Sequence, residues 1–330
     1  MSPSRLRVGV VGAGMIVENA HLPVLLGNSA IDVRWVADLN ISRTSLLSKM
    51  FGVRRRSLSD FDALLEDVDA CLLAIPVGAR TPYIDACAKK EKALLAEKPF
   101  AVSAAQHQEV CGRFAPYALG ASFQRRFYAS IAAARHIVRS QPFGPLESIS
   151  FGIGGFDLKS GGPKRYLGDP RMSGGGITIE LGIHALDQVL VGTDATAVTV
   201  DSVRSISLDG IDYDVLADSM LQIGSTQVPV HCELSRLRPV RSGFRFVFER
   251  STVSFGLGPE ALLTASPRCG GAALELTVPT GGATTINQAF SMLWAEFIDG
   301  LQRKKQTPAS AATSLLTSQW VDQIYAKVAT

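Results

Sequence analysis

Histidine and cysteine are scarce in the sequence, with five of each among 330 residues. The cysteines are odd in number and none belongs to a C-x-x-C pair, which argues against a disulfide framework. No two histidines have the H-x-x-x-H spacing of a helical zinc site, so no metal site is expected. We therefore predict a cytoplasmic protein with reduced thiols.

An excess of charge of one sign and long apolar runs are also lacking. The 33 basic and 30 acidic residues leave a net charge of +3, too small to favour nucleic acid or a membrane surface as a partner. The one basic cluster, 54–56, is interpreted as a solvated surface run. No stretch approaches 18 apolar residues, so no transmembrane helix is expected. The run 8–17 imitates a signal peptide, but three glycines interrupt it and indicate a first strand instead.

The length of the chain exceeds the usual size of one hydrophobic core, so two domains are expected. In the first 120 residues, apolar strand patterns alternate with helical ones. Strands are predicted at 6–11, 33–37, 70–75 and 93–96, and helices from the first glycines to Leu26 and at 42–51, 61–65, 82–90 and 103–113. This alternation predicts an α/β, Rossmann-type domain over residues 1–122, with a doubly wound parallel sheet.

The second predicted domain, residues 123–330, has a different texture. One helix at 131–138 precedes strand patterns at 146–153, 198–207, 218–223, 228–235, 244–249 and 274–278. A glycine-rich loop at 154–176 leads into a further helix. These patterns predict an α+β domain with a large open, mostly antiparallel sheet. The last 40 residues are helical and belong to this domain or pack back on the first.

A glycine pair, Gly12 and Gly14, joins the first strand to the first helix. A G-x-G at this junction lets the backbone approach a pyrophosphate, whose charge the helix N-terminus favours. We predict that Met15 and Ile16 also contact the cofactor there. Asp38, at the end of the second strand, is placed to bind the adenosine ribose. A tight turn without a ligand is the alternative.

The choice of dinucleotide rests on two side chains. Asp38 favours NAD, because its charge would repel a 2′-phosphate. Arg43 could offset that phosphate, so NADP stays open as the second cofactor.

Lys98, in Glu97-Lys98-Pro99, follows directly on a predicted buried strand. It therefore lies at the carboxyl edge of the sheet, where open α/β sheets bind ligands. The proline holds the lysine extended or in a turn. Such a lysine is suited to donate a proton or a hydrogen bond to a substrate oxygen. A surface lysine before a turn is the alternative.

The second candidate constellation lies in the segment 174–187. In a regular helix beginning after the glycines, Glu180, His184 and Asp187 share one face at positions i, i+4 and i+7. A histidine between carboxylates is held in one tautomer and exchanges a proton near neutral pH. A core histidine with surface carboxylates is the competing interpretation.

Together these motifs resemble the glucose–fructose oxidoreductase/inositol dehydrogenase (Gfo/Idh/MocA) family. The motifs that carry the resemblance, all within the first 190 residues, are Gly12-x-Gly14, His21-Leu-Pro23, Asp38, Ala74-Ile-Pro76, Glu97-Lys98-Pro99 and the segment 174–187. The resemblance implies a substrate cleft and an oligomer interface on the open sheet. A homo-oligomer, dimer or tetramer, is therefore expected.

The resemblance also implies roles for individual residues. Lys98 would bind and polarise the reacting oxygen, His184 would exchange its proton, and Glu180 would tune Lys98 electrostatically. Ile75, Pro76, Glu97 and Lys98, with Arg43, are further expected cofactor contacts. Expected substrate contacts, from position and charge, are Arg126, Lys164, Arg165, Tyr166 and Asp187, whose cations would suit a phosphate, carboxylate or nucleotide-linked sugar. Solvated loop charges are the alternative.

The sequence departs from the family pattern in three places. Glu180 stands where an aspartate is usual, and Val17 replaces a small residue of the phosphate loop. Val77 and Arg80 replace the usual asparagine and histidine, which puts a cofactor-ribose contact in doubt.

The resulting prediction is an NAD(P)-dependent oxidoreductase that transfers a hydride to or from a sugar, sugar nucleotide or cyclitol. Two alternatives remain: a glycosidase with a transient redox step at bound NAD, and a non-catalytic NAD(P)-binding regulator. Turnover of an aryl glycoside without net redox would favour the first. The retention of Lys98 and His184 argues against the second.

Overall fold

The computed structural model describes residues 5–155, 166–260, 262–277 and 281–328. The chain forms two compact units. The first unit contains the chain up to Phe123 together with Phe290–Leu315, and the second contains Gln124–Ala289 and the residues from Leu316 onward. None of the described helices combines the length and apolar content needed to cross a bilayer.

The first unit is built on a six-stranded parallel sheet with the order β3-β2-β1-β4-β5-β6. Its strands are β1 Leu6–Val11, β2 Ile31–Ala37, β3 Arg55–Arg56, β4 Ala70–Leu73, β5 Ala93–Glu97 and β6 Leu119–Ser122. The predicted doubly wound parallel sheet is confirmed. The four central strands carry apolar runs that are buried in the sheet, and these are the strands that the sequence predicts.

The helices of the first unit follow the strands in alternation. They are α1 Leu22–Gly27, α2 Ile41–Phe51, α3 Phe61–Leu65, α4 Thr81–Lys89, α5 Ala104–Cys111 and most of α9 Ile286–Arg303. A π-helical turn, Val17–His21, precedes α1. Asn40 accepts a hydrogen bond from the amide of Arg43 and caps α2, which fixes where the chain turns after β2. These connections bring the ends of β1, β2, β4 and β5 to one edge of the sheet.

The second unit contains an eight-stranded sheet with the order β14-β13-β12-β11-β7-β10-β9-β8. Its strands are β7 Leu146–Gly154, β8 Ala197–Leu208, β9 Ile211–Ile223, β10 Thr226–Ser235, β11 Gly243–Phe248, β12 Ser251–Phe255, β13 Leu263–Pro267 and β14 Leu274–Leu276. Every pairing is antiparallel except that of β7 with β10. The predicted mostly antiparallel sheet is confirmed.

The helices of the second unit are α6 Ala129–Ser140, α7 Pro170–Ser173, α8 Ile183–Thr193 and most of α10 Leu315–Val328. Trp320 of α10 is fully buried and donates a hydrogen bond to Ser219 of β9 (3.0 Å), so this helix lies against the sheet. Alternate residues of β10 are exposed, as they would be on a strand with one face in water.

Candidate functional site

The loop after β1 contains two glycines. The fold requires the first, and the space beside the second is empty. Gly12 has a φ of +111°, and a side chain there would place its Cβ 2.4 Å from the carbonyl oxygen of Ala74. No atom lies within 4 Å of the equivalent position at Gly14. Met15 and Ile16 begin the following helical turn with exposed side chains. The loop therefore fits a pyrophosphate, since backbone amides at a helix N-terminus are open to it at Gly14.

Asp38 and Arg43 are both bonded to this loop. The Asp38 carboxylate accepts hydrogen bonds from the amides of Ala13 and Asn40, each at 2.7 Å. Arg43 donates its Nε–H to the carbonyl of Ala13 (2.8 Å) and forms an ion pair with Glu18 (2.5 Å). Arg43 thus supports the loop by a hydrogen bond to an uncharged backbone carbonyl, and its positive charge is paired with the carboxylate of Glu18.

A cavity of about 640 Å³ lies beside Asp38 in the first unit. Its wall includes Asp38, Ile41, Arg55, Arg56, Ser57 and Tyr83. Arg55 and Arg56 of this wall come from the cluster that the sequence analysis interprets as a solvated surface run. Both arginines are exposed and belong to β3, a strand of two residues that pairs with the end of β2. The composition of the segment contains no signal for such a strand, because it has no apolar residue.

Arg80 joins the turn after β4 to the turn after β5. Its side chain is almost fully buried, and its Nε–H donates to the carbonyl of Ile75 (2.9 Å). The guanidinium also donates to the carbonyls of Glu97 and Pro99. Arg80, which departs from the family pattern, therefore connects the turn that contains the predicted cofactor contacts Ile75 and Pro76 to the turn after β5.

Glu97 is held in a buried hydrogen-bond network at the end of β5. Its Oε1 accepts from Nε2 of His21 (2.8 Å) and from the hydroxyl of Ser122 (2.6 Å). Its Oε2 accepts from the amide of Lys98 (3.2 Å). Burial raises the pKa of Glu97, but the bonds from His21 and Ser122 outweigh it and the pKa lies below its ordinary value. The carboxylate is therefore ionised near neutral pH.

Lys98 is half-buried and is the first residue after β5. Its amide bonds to the Glu97 side chain, and the carbonyls of its two neighbours bond to Arg80. The backbone of this turn is thus fixed on both sides. Most of the predicted cofactor residues of the first unit, with Lys98, lie at the carboxyl edge of one sheet.

In the second unit the close packing of the chain requires a glycine at position 176. The amides of Gly176 and Thr178 donate to the Asp212 carboxylate at 2.6 and 2.8 Å. The hydroxyl of Tyr325 donates to the same carboxylate (2.8 Å). A Cβ at Gly176 would lie 2.1 Å from the carbonyl oxygen of Asp212. Burial and the charge of Asp212 raise the pKa of Tyr325 well above its ordinary value. The sequence analysis missed Asp212 and Tyr325, because both are far from Gly176 along the chain.

The predicted helix that carries Glu180, His184 and Asp187 is present, but its first turn, Thr178–Gly182, is π-helical. The regular helix α8, which carries His184 and Asp187, follows this turn. Glu180 forms an ion pair with Arg236, whose side chain is almost fully buried. His184 and Asp187 are buried as well, so the alternative of surface carboxylates does not hold for Asp187.

Asp187 and Arg126, two predicted substrate contacts, bind each other in the second unit. Nε of Arg126 donates to Oδ2 of Asp187 (3.1 Å), and Thr317 donates to Oδ1 (3.0 Å). The two charged side chains are 4% and 2% exposed. Tyr166 is exposed in a short 3-10 turn, and the predicted contacts Lys164 and Arg165 lie outside the described residues.

Two family models match the chain. Residues 6–116 match an oxidoreductase family with an NAD-binding Rossmann fold, and residues 131–254 match the GFO/IDH/MocA C-terminal domain. Together the matches cover well over half of the sequence and extend into both units.

Individual relatives agree with these matches. The chain is 29% identical over 194 residues, 58% of its length and 57% of the relative's, to dTDP-3,4-didehydro-2,6-dideoxy-alpha-D-glucose 3-reductase of Streptomyces antibioticus. It thus spans less than two thirds of this relative.

Solved structures show the same fold over almost the whole chain. An aldose-aldose oxidoreductase from Caulobacter crescentus, complexed with glycerol, superposes with a TM-score of 0.83 at 17% identity, covering 98% of both chains. A 3-ketoreductase from Actinomadura kijaniata, in complex with NADP and TDP-benzene, superposes with a TM-score of 0.79 at 17% identity over 98% of both chains. From the two family matches and this shared fold, the chain belongs to the Gfo/Idh/MocA family of oxidoreductases.

Proposed function

We propose that this chain is an NAD(P)-dependent dehydrogenase or ketoreductase that acts on a hydroxyl or ketone carbon of a sugar. The observation that carries the proposal is the edge of the parallel sheet in the first unit. There the open Gly14 position and Asp38 lie with the turn that holds Lys98, so a cofactor site and a proton-donating group share one edge.

We assign the chemical roles as follows. A bound nicotinamide supplies the hydride acceptor or donor. Lys98 donates a hydrogen bond to the reacting oxygen, which favours the charge that develops there as the carbon is reduced. His184 exchanges the proton of that oxygen, and Glu180, paired with Arg236, orients the surrounding side chains.

A sugar nucleotide is the first substrate class to test. The reductase from S. antibioticus bears the name of a dTDP-sugar, and the ketoreductase from A. kijaniata holds TDP-benzene. Free sugars and cyclitols form the second class. We further propose a cytoplasmic homo-oligomer, dimer or tetramer, formed through the sheet of the second unit, because one face of β10 is exposed.

The experiment is a fluorescence titration of the purified protein with NADH and with NADPH. Asp38 favours NADH, whereas Arg55 and Arg56 in the wall of the same cavity favour NADPH. Gly14→Ala should weaken the binding of either cofactor by about tenfold or more, since the new methyl group occupies the open approach to the loop. Gly27→Ala, at a second open position, is the matched control and should leave binding unchanged.

Turnover is then measured with dTDP-sugars, free sugars and cyclitols. Lys98→Ala should retain cofactor affinity and lose about two to four orders of magnitude in kcat, the usual effect of removing a proton-transferring group. Absence of binding by both cofactors, or full activity of Lys98→Ala and His184→Ala, would refute the assignment.

A further inference from the structure

The buried surroundings of Lys98 contain a histidine that the proposed reaction does not use. His21 is fully buried, and the ring of Phe290 packs edge-on against it with centroids 4.7 Å apart. Trp294 of α9 donates its indole N–H to Nδ1 of His21 (3.1 Å). All these residues belong to the first unit.

The bond from Trp294 determines the protonation of His21. An indole nitrogen only donates hydrogen bonds, so the Nδ1 that receives it carries no proton. Nε2 therefore carries a proton, lies 2.8 Å from Oε1 of Glu97 and donates to it. Trp294 thus fixes the orientation in which His21 faces the carboxylate.

The carboxylate is held in a buried place by hydrogen bonds from His21, Ser122 and the amide of Lys98. After the bond and charge of His21 and the bond of Ser122, the charge of Lys98 is a further influence that lowers the pKa of Glu97. The interaction is reciprocal, because a carboxylate that is favoured by an ammonium group favours that group equally.

We propose that His21, Ser122 and Trp294, acting through Glu97, are positioning residues that keep the side chain of Lys98 charged and fixed for the reacting oxygen. The inference rests on the proposed role of Lys98 but concerns only residues of the first unit. The charged and titratable groups that the structure places on this turn are His21, Glu97 and the guanidinium of Arg80. Arg80 bonds to backbone carbonyls, so its contribution is to hold the turn.

The test measures the titration of Lys98 itself. Lysines are reductively methylated with ¹³C-formaldehyde, and the signal of Lys98 is assigned by its loss in Lys98→Arg. Glu97→Gln should lower the titration midpoint of Lys98 by about one pH unit, since an opposite charge nearby typically shifts a pKa by one to three. An unchanged midpoint in this variant overturns the proposal.

The histidine is tested by removal and by conservative rescue. His21→Leu should lower the midpoint in the same direction but by less, because Glu97 stays ionised at the pH where Lys98 titrates and loses only the donor that fixes its position. His21→Gln should restore it, since its amide nitrogen reaches the place of Nε2 and donates there. If His21→Leu does not fold, Trp294→Phe takes its place. Without the indole donor, the ring of His21 is held less firmly against Glu97, so a smaller shift in the same direction is expected.

A second buried histidine provides the matched control. His107 is fully buried in the same unit, and its Nε2 bonds to the carbonyl of Ala311 (3.0 Å). His107→Leu should lower the melting temperature and leave the Lys98 midpoint unchanged. An equal shift in His107→Leu would show that the effect is a general consequence of destabilisation, which overturns the positioning role.

The readout also separates this inference from the proposed function. A shifted midpoint in a protein without dehydrogenase activity would refute the function and retain the positioning. In an active enzyme, Glu97→Gln should lower kcat and move the alkaline limb of the kcat profile to lower pH, with the KM for the cofactor little changed. If the enzyme is active but Glu97→Gln changes neither the Lys98 midpoint nor the pH profile of kcat, the proposed function stands and the positioning role is refuted.

Discussion

The two units bury carboxylates in different ways. In the first unit Glu97 accepts hydrogen bonds from an imidazole, a hydroxyl and a backbone amide, and none of these three donors is a guanidinium. In the second unit Asp187 is paired with the guanidinium of Arg126, and Glu180 with that of Arg236. Both of those pairs cancel their charge locally. A buried carboxylate without a guanidinium partner can still raise the pKa of a nearby cation. A carboxylate in a buried ion pair mainly stabilises the fold.

The largest expected effect comes from breaking the buried pair of the second unit. Arg126→Met leaves Asp187 buried without a cation and should lower the free energy of unfolding by about 3–5 kcal/mol. Urea unfolding followed by circular dichroism measures it. Thr317→Val, which removes one neutral hydrogen bond to Asp187, should cost only about 1 kcal/mol. Equal losses in the two variants would mean that the charge of Arg126 contributes nothing specific.

A smaller loss of unfolding free energy is expected when the hydrogen-bond network of Glu97 in the first unit is changed. Glu97→Gln keeps a side-chain carbonyl oxygen as acceptor for His21 and should cost about 1–2 kcal/mol near neutral pH. Because the pKa of Glu97 is lowered in the folded protein, its stabilisation is complete above the ordinary value and is lost as the pH falls through the lowered one.

The pH dependence is measured as the difference in unfolding free energy between the wild type and Glu97→Gln. This difference should be constant above about pH 5 and should decrease toward zero as the pH falls further, because the ordinary pKa of a glutamate is 4.5. A difference that closes instead on the alkaline side would show that the carboxyl is protonated in the folded protein.

The smallest effect is expected for an ion pair that water reaches. Arg135 and Asp194 in the second unit have side chains that are 42% and 34% exposed, and Arg139 also bonds to Asp194. Arg135→Ala should therefore change the free energy of unfolding by no more than about 1 kcal/mol. A loss of unfolding free energy as large as that of Arg126→Met would contradict this expectation. It would mean that burial is not the reason why the Asp187 pair is strong.

Much of the fold follows from local sequence patterns. The apolar runs of β1, β2, β4 and β5 and their alternation with helices predict a parallel sheet, and the glycine pair is located at its edge. The strands that were missed are short or carry a weak pattern. β3 consists of two arginines, and its pairing with β2 is set by the surrounding fold, not by its own composition.

The candidate site is predicted in part for the same reason. Lys98 is located correctly after β5, because a buried strand followed by a polar turn is a local feature. The π turn around Glu180 was not predicted, because spacing arguments assume regular winding. Arg236 and Asp212 carry no local signal, and only their partners in the folded chain give them a role.

The order of strands and helices, the glycine loop and the residue types at the sheet edge are encoded locally, since they depend on neighbours along the chain. Which side chains meet depends on the folded chain. His21 and Glu97 are 76 residues apart, and His21 and Trp294 are 273 residues apart. Hydrogen bonding and burial depend on distance in space, so the charge state of the Lys98 surroundings is defined only when the chain has folded.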